Sequence, residues 1–78
     1  MAFEKNPEKV IWEAARKIFL SRGLTGARMQ DIADEAGINK ALLHYYYRSK
    51  EKLFGLIFEK ELDEFVRNIE TIFHSDAS

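Results

Sequence analysis

The segment MQDIADEAGINKALLHYY (residues 29–46) has the pattern of two short helices joined by a tight turn. Small and apolar residues recur at helical spacing up to Ala36, where the two helices would cross closely. Gly37 tolerates the positive φ that such a turn needs, Ile38 fills the gap, and Asn39 is a typical helix N-cap. The segment therefore predicts a helix-turn-helix, although an ordinary corner between packed helices has the same pattern.

The residues before this segment predict another helix. Asn6 is a good N-cap, Pro7 suits the first helical position, and Glu8 lies near the positive end of the helix dipole. An apolar stripe at helical spacing follows, and Gly23 occupies the place of a left-handed C-terminal cap. Residues 24–27 are predicted as a connector to the next helix.

The remaining boundaries follow from caps and periodicity. We predict a second helix over about residues 28–35, a third over residues 40–46, and a fourth that Ser49 caps. Apolar residues from Leu53 into the low seventies repeat every three or four positions along the fourth helix. The predicted fold is all-α: a homeodomain-like three-helix bundle with a helix-turn-helix, followed by a long fourth connecting helix.

Composition narrows the possible functions. The 78 residues suffice for one small domain, and the chain has no cysteine for a disulfide, a thiolate zinc site or a thiol nucleophile. The two histidines, His44 and His74, have no ligand-like spacing, so neither a metal nor a cofactor is expected. No apolar run reaches the roughly 20 residues of a membrane span. The N-terminus lacks the order of a signal peptide, which predicts a cytoplasmic protein.

The net charge of −1 hides an uneven distribution. Residues 1–54 hold ten Lys and Arg against seven Asp and Glu (net +3), whereas residues 55–78 hold two against six (net −4). Residues 37–52 contain four cations and one anion, Glu51. Because salt screens distant charges, such a local basic patch is what attracts phosphate groups.

The third helix has an outward face suited to nucleic acid. If Ile38, Leu43 and Tyr47 face the core, the outward residues are Lys40, Ala41, His44 and Tyr45. Lysine and tyrosine can reach phosphate oxygens, and the start of the fourth helix favours an anion near Lys50. We therefore predict that one of the three adjacent tyrosines packs inside and the others contact DNA. The alternative is that all three pack between helices three and four.

The segment GARMQDIADEAGINKALLHYYYRSKEKLF (residues 26–54) resembles the DNA-binding domain of the tetracycline-repressor (TetR-type) family. With VIWEAARKIFLSRG (residues 10–23), the resemblance covers about residues 10–54. It implies a helix-turn-helix DNA-binding domain at residues 1–54. Residues 55–78 would then continue helix four as a connector to a C-terminal domain, absent from this chain, that binds a small-molecule inducer and forms the homodimer.

The resemblance also implies site residues. Positions expected to face base edges are Lys40, Ala41, Leu42 and His44. Positions expected to meet phosphates are Asn39, Tyr45, Tyr46 and Lys50. Gln30 matches a position that sometimes reaches a base. The chain departs from the residue common in the family at three positions: Arg28 replaces a threonine, Leu42 replaces a threonine and His44 replaces a tyrosine. The change at Arg28 weakens the cap of helix two and adds a cation near the DNA backbone.

These observations predict a bacterial regulator, more specifically a repressor, that binds a palindromic operator in double-stranded DNA. We also expect this chain to be the amino-terminal piece of a longer homodimeric protein and, by itself, to associate weakly and be a monomer at low concentration. The alternative is a helical protein-interaction module that works through the apolar side of helix four. An enzyme is not expected, because Asp31, Asp34 and Glu35 resemble a solvated helix face and His44 has no obvious partner as a base.

Overall fold

The computed structural model describes residues 6–77, with side chains described as far as His74. The helices are α1 (Pro7–Gly26), α2 (Met29–Ala36), α3 (Lys40–Tyr46) and α4 (Lys50–Ala77), and residues 6–77 contain no strand. The prediction of an all-α fold is confirmed. Within this range no helix is long and apolar enough to cross a membrane. The prediction that the N-terminus is not a signal peptide rests partly on residues 1–5, which lie outside the described range.

The start of α1 matches its predicted cap, but its end does not match the predicted connector. Asn6 Oδ1 accepts a hydrogen bond from the Glu8 amide at 2.8 Å. Gly23 has φ 73° and ψ 174°, and the helix resumes after this kink and runs to Gly26. The Ala27 amide donates to the Gly23 carbonyl at 3.1 Å, which stabilises this extra turn. The predicted break at Gly23 is therefore present, with a positive φ, but residues 24–26 form a helical turn where an irregular connector was predicted.

The turn between α2 and α3 has the predicted chemistry. Gly37 lies in the left-handed region, with φ 76° and ψ 29°. The Ile38 amide donates to the Ala33 carbonyl at 3.0 Å across this turn. Asn39 Oδ1 accepts from the Leu42 amide at 2.8 Å and caps α3. The helix-turn-helix geometry therefore depends on one left-handed glycine and one side-chain cap.

All four helices contribute to a single core. The largest fully buried side chains come one from each helix: Ile11, Ile32, Leu43 and Leu53. Ala33 is also wholly buried, and its small side chain suits a close approach between helices. Because Leu43 is the buried residue of α3, its packing determines which face of α3 is directed outward.

Helix α4 packs on the bundle only near its start. Leu53 and Ile57 are buried, and Arg16 Nε of α1 donates to Glu61 Oε2 at 2.8 Å. This hydrogen bond from Arg16 lowers the pKa of the Glu61 carboxyl. Beyond it the predicted apolar stripe is largely exposed, as at Phe65 (60% exposed). The predicted spacing of apolar residues along α4 is correct. A helix of 28 residues is about 42 Å long, however, and extends beyond the small bundle.

Candidate nucleic-acid interface

Helix α3 presents a continuous outward face opposite Leu43. Its exposed residues are Lys40, Ala41, Leu42, His44 and Tyr45. Leu43 is fully buried whereas Leu42, the next residue, is 37% exposed, so two adjacent leucines point in different directions. The face combines a cation, two apolar groups, an imidazole and a phenol. This set can contact phosphates, thymine methyl groups and base edges.

The burial of the three adjacent tyrosine side chains differs from the prediction. Tyr45 is 79% exposed, whereas Tyr46 and Tyr47 are half-buried and pack against the core. The Tyr45 and Tyr46 rings meet edge to face with centroids 5.2 Å apart, so Tyr46 supports Tyr45 from the inner side. Burial, and then the charge of Glu8, raise the pKa of Tyr47. Two tyrosines therefore pack rather than one. Tyr47 was expected to face the core, and Tyr46 joins it because it follows buried Leu43 by three positions and so lies on the same side of the helix.

The His44 side chain is oriented by the backbone that follows α3. His44 Nδ1 lies 3.3 Å from the Arg48 carbonyl oxygen. A carbonyl only accepts, so a neutral imidazole that makes this contact carries its proton on Nδ1. Nε2 is then an acceptor, which suits the amino group of cytosine or adenine.

The start of α2 is capped by a residue that the sequence analysis did not assign to this role. Arg28 occupies the N-cap position, but a guanidinium has no acceptor with which to cap a helix. Instead, Asp31 Oδ2 accepts from the Arg28 amide at 3.2 Å and from Arg22 Nη1 at 2.9 Å. An acidic residue three positions after the N-cap could have revealed this partial capping box. Exposed Gln30 follows in the first turn of α2.

Lys50 makes contacts that the sequence analysis missed. Its Nζ donates to the Ala27 carbonyl at 2.8 Å and lies 3.4 Å from the Thr25 carbonyl. The start of α4 is thereby tied to the junction between α1 and α2. Ser49 Oγ accepts from the Lys52 amide at 3.1 Å, which confirms the predicted cap of α4. Lys50 is therefore held at the same edge of the bundle as the start of α2.

Comparison with known proteins agrees with this architecture. The sequence model described as "Bacterial regulatory proteins, tetR family" matches residues 11–57. An HTH-type transcriptional repressor of Streptomyces coelicolor is 44% identical over 52 residues, which are 67% of this chain and 27% of the relative. The HTH-type transcriptional activator FasR of Mycolicibacterium smegmatis is 34% identical over 56 residues, which are 72% of this chain and 26% of FasR.

A solved structure shows the same arrangement of helices. A crystal structure of a HlyIIR mutant protein matches with a TM-score of 0.66 and 41% sequence identity, over 69% of this chain and 30% of that one. The chain spans about a quarter of the length of the two curated relatives described above. The family match itself extends from the first buried residue of α1, Ile11, to the last buried residue of α4, Ile57. The chain therefore belongs to the tetR family of bacterial regulatory proteins and carries the DNA-binding domain of a transcriptional regulator.

Proposed function

We propose that the chain recognises a specific sequence in double-stranded DNA by placing α3 in the major groove. The observation that supports this most strongly is the rotation of α3, which buries Leu43 and exposes all four residues of this helix that are predicted to face bases, Lys40, Ala41, Leu42 and His44. In a helix-turn-helix, the second helix lies in the major groove while the first crosses the phosphate backbone. Here α3 would be the reading helix and α2 the crossing helix.

Individual roles are proposed from the family resemblance together with the chemistry of each side chain. The residues proposed to face bases are Gln30, Lys40, Ala41, Leu42 and His44. The residues proposed to meet phosphates are Arg28, Asn39, Tyr45, Tyr46 and Lys50. Leu42 offers only apolar contact, which favours a thymine methyl group. Phosphate contacts supply affinity without sequence preference, whereas the base contacts supply specificity.

The regulatory setting is proposed from the family. Residues 1–54 would form the DNA-binding domain, and residues 55–78 would connect it to a further domain that dimerises and binds a small inducer. A homodimer would read a palindromic operator in the bacterial cytoplasm. Repression is the proposed outcome, although one relative is named a repressor and another an activator. Selection from randomised duplexes with the full-length regulator would identify the operator.

A second role is favoured by the exposed apolar side of α4. Phe58, Leu62 and Phe65 are each about half exposed or more, and they follow one another at helical spacing. Such a row suits packing against another helical surface. DNA binding should weaken steeply as salt rises, whereas apolar helix pairing should not, so salt dependence separates the two functions.

Lys40 provides the direct test of DNA binding. Lys40→Gln should weaken binding to the preferred duplex most, because a proposed base contact is lost. It should also lower the slope of log K against log salt by up to about 0.9, because a cation is removed from the surface that faces the phosphates. The affinity would be measured by fluorescence anisotropy at several salt concentrations. Lys60→Gln is the control, because Lys60 pairs with Glu64 on α4, and it should leave the slope unchanged. Equal slopes for the parent and both variants would contradict an electrostatic role for α3.

Lys50 should affect both folding and binding. Lys50→Met should lower the free energy of unfolding by about 1–3 kcal/mol, because it removes a charged donor from the Ala27 carbonyl. It should also lower the salt slope by about 0.9 if the remaining N–H of Nζ reaches a phosphate, as we propose. Chemical denaturation and salt titration measure the two effects separately. An undestabilised variant would contradict the carbonyl contacts, and an unchanged slope would contradict the phosphate contact.

A further inference from the structure

Gln30 and Asp34 lie one turn apart on the exposed face of α2, and Gln30 Nε2 donates to Asp34 Oδ1 at 2.9 Å. The two ends of a glutamine amide are usually hard to tell apart. Here Asp34 determines which end of the Gln30 amide faces it, because an ionised carboxylate can only accept a hydrogen bond. The amide nitrogen of Gln30 must therefore face Asp34.

We infer that Asp34 is a positioning residue that makes Gln30 selective for adenine, which rests on the proposed contact of Gln30 with a base. With one N–H bonded to Asp34, the amide retains one N–H donor and the Oε1 acceptor. Adenine offers the complementary pair in the major groove, an N7 acceptor and an N6 amino donor. Guanine offers two acceptors, N7 and O6, so Oε1 would face an oxygen.

Without Asp34 the restriction disappears. A free glutamine amide can rotate and direct both of its N–H groups toward guanine, or its oxygen toward a cytosine amino group. The Asp34 hydrogen bond removes these alternatives before DNA arrives, which reduces the rotamer entropy lost on binding. Discrimination at one base pair would then depend on a residue that does not itself touch the base.

The carboxylate of Asp34 also has a separate effect, because any anion near DNA repels phosphates. Loss of charge and loss of the hydrogen bond must therefore be distinguished. Asp34→Ala removes both, whereas Asp34→Glu keeps a carboxylate that can only accept from Gln30. Glu35→Ala removes a neighbouring carboxylate of α2 that is bonded to Lys17 Nζ at 2.9 Å.

The test is selection from randomised duplexes by the 78-residue chain, followed by affinity measurements on selected sites with single-base changes. Gln30→Ala first identifies the base pair that Gln30 reads. At that position the parent should prefer adenine over guanine by about tenfold, the scale of one good bidentate contact. Asp34→Ala should reduce this preference to about twofold. Asp34→Glu should keep most of it, and Glu35→Ala, which removes only a neighbouring charge, all of it.

The outcomes separate this inference from the function on which it rests. The inference is overturned if Asp34→Ala keeps the full preference, or if the Glu and Ala variants lose it equally. It is also overturned if Gln30→Ala changes no base preference, although a parent that still selects a motif then retains its proposed function. A parent that selects no motif overturns both. Thermal melting of each variant verifies folding, because reduced stability alone would weaken binding to all sequences rather than alter one base preference.

Discussion

Replacing Leu43 with Ala should lower the free energy of unfolding by about 2–5 kcal/mol, enough to unfold much of a domain this small. Leu43 is the wholly buried residue of α3, and its side chain joins a core to which α1, α2 and α4 also contribute. Truncation leaves a cavity that the short helix can close only by shifting. Chemical denaturation followed by circular dichroism measures the loss.

Leu42→Ala is the matched control for this prediction. Leu42 has the same side chain on the same helix, but it is 37% exposed and belongs to the proposed base-reading face. Its removal should change stability by about 0.5 kcal/mol at most, the usual range for surface substitutions. DNA affinity should fall at sites that present a thymine methyl group. If both leucine variants were equally destabilised, the rotation of α3 described here would be wrong.

Gly37→Val should cost about 1–3 kcal/mol of stability and weaken DNA binding at the same time. The cost arises in the backbone, because φ is 76° and a β-branched residue is strongly disfavoured in the left-handed region. Space is not the cause, since no atom lies within 4 Å of a Cβ placed at Gly37. The binding loss follows because the variant relieves its strain by changing the angle between α2 and α3.

A substitution at a second glycine, Gly55→Ala, should change stability in the opposite direction. Gly55 lies within α4, is exposed, and has no atom within 4 Å of an added Cβ. Since alanine favours a helix interior by about 1 kcal/mol over glycine, this variant should be more stable than the parent. Thermal melting of the two variants compares both positions. A Gly37→Val protein that melts with the parent would show that the turn tolerates a side chain there.

Local chemistry explains why much of the fold could be predicted. The caps at Asn6, Asn39 and Ser49 are hydrogen bonds to amides two or three residues away. The need for a glycine at the α2–α3 turn is likewise a property of the local backbone. The approximate bounds predicted for α3 accordingly agree with the observed helix, Lys40–Tyr46. The exposed face of α3 also followed from a local property, the helical periodicity of inward and outward residues around Leu43. The base and phosphate contacts assigned to that face remain predictions.

The sequence by itself determined the four helices, the caps at Asn6, Asn39 and Ser49, and most of the outward set on α3, because these depend on interactions within a few residues. Only the tertiary structure decided which groups meet across the chain. Lys50 reaches carbonyls more than twenty residues earlier, Tyr46 packs inward under Tyr45, and the apolar side of α4 runs past the core. These features depend on the angles at which helices cross and on where the small bundle ends. Periodicity identifies the apolar side of a helix, but the presence of a surface to cover it is a property of the assembled fold.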